Sequence, residues 1–170
     1  LNSVPTAEEN AKAKWGNVQA DYQRRADLIP NLVETVKGYA KQEKDTLTAV
    51  TEARAKASAT QVSAADLSDP AKVAAFQQAQ GALSQSLGRL LATAEAYPDL
   101  KSNQNFLALQ SQLEGTENRI NISIKDYNEA VQSYNTTIRT FPDAIGAKIF
   151  YGSKPMESFK ATAPNADRAP

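Results

Sequence analysis

The stretch Gly115-Thr-Glu-Asn-Arg-Ile-Asn-Ile-Ser-Ile-Lys-Asp-Tyr127-Asn128-Glu-Ala-Val-Gln-Ser-Tyr134-Asn135-Thr-Thr-Ile-Arg-Thr-Phe141-Pro142 repeats a Tyr-Asn pair after seven residues inside an unbroken helical pattern. Seven residues return a side chain to the same stripe of a helix, so this segment reads as one long helix with a single buried seam. Followed outward, the stripe comprises Phe106, Leu109, Leu113, Thr116, Ile120, Ile124, Tyr127, Val131, Tyr134, Ile138 and Phe141, predicting a helix from about Ser102 to Thr140. At 1.5 Å per residue such a rod is roughly 55 to 60 Å long. It buries its stripe only against other helices.

Those helices are legible upstream. Asp69-Pro70 supplies a cap and a first-turn proline for a helix whose seam is Val73, Phe76, Gln80, Leu83, Leu87, Leu90, Ala94 and Tyr97, ending at Pro98-Asp99. Thr6 and Glu9 have the spacing of a capping box and predict a first helix starting there. Trp15, Val18, Tyr22, Arg25, Ile29, Leu32 and Val36 follow in 3-4 alternation, and Val36, Tyr39 or Ala40, Glu43, Leu47, Val50, Arg54 and Ala57 carry it on. This register runs through Pro30, which either kinks one helix or opens a second one capped by Asp27. Two segments, about 6 to 27 and 28 to 60, are the reading taken. Short connections at 61 to 69 and 98 to 101 make neighbours antiparallel. The fold class is therefore all-α, an antiparallel up-and-down bundle of long helices over residues 1–150. Residues 151–170 form an extended, partly mobile tail; a helical turn is expected around Ala144 to Phe150.

Composition excludes several functions. The 170 residues carry 19 basic and 19 acidic side chains, with no histidine and no cysteine. Balanced charge without a basic patch gives nucleic acid no electrostatic purchase. Disulfides, thiol nucleophiles, imidazole bases and nitrogen or sulfur metal ligands are absent. The seven glycines form no phosphate-binding loop. Gly81 and Gly88, seven apart, either admit a close helix neighbour or lie on an open face. Glu114 and Glu117 lie one turn apart, but carboxylates here fall mostly on polar helix faces, with i,i+4 partners such as Asp21–Arg25 and Glu52–Lys56. No cofactor and no catalytic residue is assigned.

Two polar groups near the seam stand out. Arg24, Arg25 and Asp27 precede Pro30 and Asn31 follows it, and Glu117, Asn118 and Arg119 lie on the last helix. They read as an ion-pair and amide network fixing helix register, or as a docking patch. Asn118, Asn121, Asn128 and Asn135 recur at helical spacing, the last three in strict sevens, and read as surface amides flanking the seam, the alternative being a ladder toward a partner helix. Trp15, Tyr127 and Tyr134 are expected to anchor the core.

The segment around Tyr127-Asn128 and Tyr134-Asn135, with Gln23-Arg-Arg-Ala-Asp-Leu-Ile-Pro-Asn-Leu-Val-Glu-Thr-Val-Lys-Gly-Tyr39 and a weaker echo in Lys154-Pro-Met-Glu-Ser-Phe159, resembles the LemA family of bacterial membrane-anchored proteins. The resemblance covers about Ala7 to Phe159. Ile124, where relatives often carry Arg, and Trp15-Gly16 depart from the family's pattern. The resemblance implies an all-α antiparallel bundle, a domain shared with magnetosome proteins, and an N-terminal anchor, transmembrane or lipid, before Leu1. It places the domain on the extracytoplasmic side of the envelope and implies envelope proteins as partners, since relatives are often encoded beside a membrane metalloprotease and a TPM domain. It carries over no catalytic residue. Together these readings point to a non-enzymatic, membrane-tethered helical scaffold or adaptor of the bacterial cell envelope. The alternatives are a small-molecule binder or enzyme using core carboxylates, and a homo-oligomeric structural assembly.

Overall fold

A computed structural model describes residues 3–140 and 154–160. Its elements are α1 (Ser3–Lys37), α2 (Lys44–Ala59), a 3-10 turn (Ala64–Ser68), α3 (Pro70–Ala94), a single turn α4 (Pro98–Lys101) and α5 (Gln104–Thr140). The described residues form an all-α, up-and-down bundle in which α1 packs along α5 and α2 along α3. Every seam residue expected on α1 from Trp15 to Val36, and on α5 from Phe106 to Ile138, is buried. Phe141 and the turn expected around Ala144 to Phe150 lie outside the described residues.

Helix ends follow local chemistry. The Asp69 carboxylate accepts from the amides of Ala71 (3.1 Å) and Lys72 (3.4 Å), the expected cap of α3. Asn103 Oδ1 accepts from Phe106 N at 2.9 Å and opens α5. At the first helix the expectation is corrected. Thr6 and Glu9 form no capping box, because α1 already begins at Ser3. Pro5 is tolerated in a first turn, and Val4 is drawn into the core.

The second correction concerns Pro30. Helix α1 runs through it without a break, so the boundary expected at 27/28 does not exist and Asp27 caps nothing. A mid-helix proline leaves the carbonyl four residues earlier without its amide partner. That carbonyl belongs to Ala26, and Arg54 Nε from α2 donates to it at 2.8 Å. A guanidinium from the neighbouring helix thus replaces the missing N–H. The chain instead reverses over residues 38–43, so the expected helix from 28 to 60 is really the end of α1 and a separate α2. A Cβ on Gly38 would sit 3.3 Å from the Thr35 carbonyl, and Tyr39 and Ala40 amides both close onto the Val36 carbonyl at 3.0 and 2.8 Å. The turn lets Leu47 and Val50 bury against the same core as Val36 and Ala40. Nothing lies within 4 Å of a Cβ built on Gly81 or Gly88, so neither admits a close helix neighbour.

The core has two lobes. One gathers Ile29, Leu32 and Val36 with Leu47, Val50, Leu83, Leu90 and Phe106, where four helices meet. The other gathers Trp15, Tyr22, Phe76, Ile120, Tyr127 and Tyr134 with Met156 and Phe159. Val4 and Ile138 share this second lobe, so the end of α5 returns beside the start of α1. Trp15 is its anchor: the indole N–H donates to the Val62 carbonyl at 2.9 Å, and the rings of Phe76, Tyr127 and Phe159 lie 5.2, 5.2 and 5.7 Å away. Edge-on and tilted arrangements of this kind suit the aromatic quadrupole.

Two stability measurements test this account. Trp15→Ala should lower unfolding free energy by about 3 to 5 kcal/mol in urea titration. Arg54→Ala should cost about 1 to 3 kcal/mol, the worth of a charged donor on a carbonyl. In a Pro30→Ala background that cost should shrink, because the substituted residue restores an amide for the Ala26 carbonyl. Equal losses in both backgrounds would show that Arg54 does not compensate the proline.

Candidate functional site

Where the two lobes meet, the seam of α1 places an arginine. Arg25 is 0 % exposed. Its Nη1 donates to Ser84 Oγ (2.7 Å) and to Glu117 Oε1 (3.1 Å), and its Nη2 to the Gln80 carbonyl (3.1 Å) and Gln80 Oε1 (2.8 Å). The guanidinium carbon also lies 5.0 Å from the Tyr22 ring centroid, a cation-π contact. One charge from α1 is thereby tied to two residues of α3 and to one of α5. Arg25 Nε and Glu117 Oε2 are buried without hydrogen-bond partners among the described residues, so the layer is not fully satisfied.

A second polar contact runs beside it. Asp21 is buried, accepting from Arg24 on its own helix and from Ser123 Oγ on α5. The i,i+4 pairing expected between Asp21 and Arg25 is therefore replaced. Arg25 turns into the core, and Asp21 pairs with Arg24 three residues on.

The eight residues singled out from sequence divide accordingly. Arg25 and Glu117 form the ion pair. Arg24 sits at its edge. Asp27 accepts from Gln23 Nε2 at 2.8 Å on the surface, and Asn31 accepts from Asn105 Nδ2 at 3.4 Å. Pro30 is interior to α1, while Asn118 and Arg119 are exposed. Arg24, Asp27 and Arg119 line a shallow open depression of about 400 Å³ between α1 and α5, with Leu28, Gln112 and Thr116. Gln80 lies on the expected seam, where a glutamine signals a polar partner. Ser84 and Ser123 carry no sequence signal of their roles. Among the described residues no group of three or more acidic side chains is placed to hold a metal.

The asparagines spaced by seven are not plain surface amides. Asn135 exchanges two hydrogen bonds with the backbone of Met156, Nδ2 to O at 3.0 Å and N to Oδ1 at 2.9 Å. Asn128 does the same with Phe159, at 2.6 and 2.7 Å. Tyr127 OH donates to the Glu157 carbonyl at 2.8 Å, and Glu157 N donates to the Leu67 carbonyl at 2.9 Å. Burial pushes the Tyr127 phenol up from its ordinary value, and the Glu157 carboxylate adds to the shift. Residues 154–160, expected within a loose tail, are thus seated on the bundle, with Met156 and Phe159 in its core.

Removing one partner of a buried ion pair costs about 3 to 5 kcal/mol, so Arg25→Ala should destabilise by that order. Arg25→Lys should recover little, since an ammonium lacks the fork that reaches Gln80, Ser84 and Glu117 together. The Tyr127 shift sets a sign at alkaline pH. The folded state favours the neutral phenol, so its contribution is intact below the ordinary tyrosine value of about 10 and is lost as pH rises beyond it. Tyr127→Phe should flatten that alkaline loss in pH-dependent denaturation.

Comparison with known proteins matches the chain to the LemA family over residues 14–170. Protein LemA of Metamycoplasma hominis is 29% identical over 125 residues, covering 73% of this chain and 52% of that protein. Magnetosome protein MamQ 2 of Paramagnetospirillum magneticum is 28% identical over 157 residues, covering 83% of this chain and 58% of the relative. Magnetosome protein MamQ of Magnetospirillum gryphiswaldense is 27% identical over the same length and coverage. The chain thus spans little more than half the length of these relatives. With a family match over nearly its whole length, the chain belongs to the LemA family.

Proposed function

We propose that the domain is a non-enzymatic, membrane-tethered helical scaffold or adaptor of the bacterial cell envelope, on its extracytoplasmic side. The observation that carries this reading is how the buried charge is used. The Arg25 guanidinium, with no exposure to solvent, directs its donors to Ser84, Gln80 and Glu117 and holds three helices in register. A group so enclosed serves shape. Membership of the LemA family supports the envelope setting.

Among the described residues no helix is long and apolar enough to cross a membrane, so in this reading the tether lies outside them. Envelope proteins are the proposed partners. The depression between α1 and α5 offers Arg24 and Arg119 beside Asp27, a mixed-charge surface suited to a polar rim contact. An enzyme built on bundle carboxylates would need the Glu-x-x-His pairs of di-iron proteins, and the sequence has no histidine.

Photo-crosslinking from position 112, on the rim of that depression, in the complete protein in intact envelopes tests the reading. The expected result is a discrete crosslinked envelope protein that disappears on charge reversal of Arg24 and Arg119. A complete protein that fractionates away from membranes and yields no discrete crosslink would overturn it.

A further inference from the structure

The seven-residue repeat of asparagines meets a three-residue repeat on the segment it holds. Two helical turns between Asn128 and Asn135 rise about 10.5 Å. Three residues of extended chain between Met156 and Phe159 advance about 9 to 10 Å. The two periods match, so each asparagine meets a backbone unit three residues from the last. Asparagine carries a donor and an acceptor in the geometry of a peptide group, and both are used at both rungs. The opposite wall is made by the Leu67 carbonyl and by Gln77, whose Nε2 donates to the Ser158 carbonyl at 3.4 Å.

These hydrogen bonds all reach the segment through its backbone. Its side chains divide in role: Met156 and Phe159 are buried, whereas Lys154, Pro155 and Lys160 are exposed. Main-chain contacts that accept any sequence, with pockets that select two side chains, are how protein grooves recognise extended peptides. The asparagine period extends one step further along α5. Asn121 is one heptad before Asn128, and its Oδ1 is buried with no hydrogen-bond partner among the described residues. The corresponding atom at the two rungs accepts a peptide N–H.

We propose that the α5 face bearing Asn121, Asn128 and Asn135 is a peptide-reading groove for an extended segment of another protein with two apolar side chains three residues apart, and that residues 154–160 are its built-in occupant. This deepens the adaptor reading, on which it rests, by naming the chemistry of a partner. The partner's backbone is read by the asparagines. Its first apolar side chain takes the place of Met156 and its second that of Phe159, among the rings of Trp15, Tyr22 and Phe76 at 5.7, 6.0 and 5.7 Å. A segment that continues three residues past the second anchor brings an N–H to Asn121. Displacement of the built-in segment regulates access.

The test uses the full chain with Met156→Asp and Phe159→Asp, which empties the two pockets. The probes are fluorescent synthetic peptides with the sequences of residues 154–160 and 154–162, and helical circular dichroism controls for folding. Both peptides should bind saturably below about 1 mM, and Asn128→Ala with Asn135→Ala should weaken binding at least about tenfold through loss of four hydrogen bonds. Asn121→Ala should weaken only the longer peptide. Trp15 emission should shift on binding, since the Phe159 ring lies tilted against the indole at 5.7 Å. If the aspartate pair does not fold, Met156→Ala with Phe159→Ala carries the same measurement. In the wild-type chain, excess peptide should quicken amide exchange at Met156 and Phe159. Absence of binding to a folded variant, binding unaffected by the asparagine substitutions, or unchanged exchange in the wild type where neither variant folds overturns the proposal. A wild-type dimer in light scattering that the aspartate pair abolishes would also overturn it, by assigning the groove to the tail of a second copy. Peptide binding without any envelope crosslink would keep the groove and remove the adaptor reading.

Discussion

A guanidinium held away from water is the constraint around which this bundle is organised. Burying a charge is costly unless it is paired and hydrogen-bonded, and Arg25 gathers its acceptors from two other helices to meet that cost. Apolar stripes at 3-4 spacing would tolerate sliding by a turn, because one leucine substitutes for another. A fork that must reach Gln80, Ser84 and Glu117 at once does not. The consequence is that Arg25 Nε and Glu117 Oε2 find no hydrogen-bond partner among the described residues, which an apolar layer would avoid. The arrangement gives up some stability and gains register.

The same logic recurs at the backbone. Pro30 breaks the hydrogen-bond ladder of α1 at the Ala26 carbonyl, and Arg54 from α2 restores the contact. The proline is harmless only when α2 is folded back beside α1, so helix continuity and helix pairing form together. Asp21 with Ser123 plays a comparable part between α1 and α5. At three levels along α1, polar groups fix which helix lies where, while the apolar seam supplies the driving force.

The long helices and their buried faces are legible because heptad and 3-4 periodicity report directly on burial. Trp15 through Val36 and Phe106 through Ile138 all fall where the pattern puts them. Pro30 misleads because its rescue comes from a residue 24 positions away, which no local rule contains. The turn over residues 38–43 is hidden because Val36, Ala40 and Leu47 keep the spacing of one helix although they line two arms of a hairpin. Of the polar site, Arg25 and Glu117 are legible as charges beside the seam, and Gln80 as an amide on it. Ser84 and Ser123 are not, since a serine on a helix is unremarkable until a charge approaches it. The asparagines show their period but not their object, because the segment they hold has a period of three and only two apolar anchors.

That segment follows from the shortness of α2. With 16 residues, α2 covers only the lobe around Leu83 and Leu90, and beyond Ala59 the second lobe has no fourth helix among the described residues. The slot is filled by the 3-10 turn and by residues 154–160. A helix entering such a slot satisfies its own backbone, whereas an extended chain must find partners for every amide and carbonyl it buries. Helix α5 has no free main-chain groups to offer along its length, so side chains that imitate the peptide group must supply them. Asparagine at heptad spacing does this on α5, and the Leu67 carbonyl does it from the 3-10 turn. An interaction built this way exchanges readily against water, because each bond made to asparagine replaces one made to solvent and nets about 1 kcal/mol or less. Occupancy of the slot therefore rests on the two buried side chains, Met156 and Phe159, and register within it rests on the asparagines.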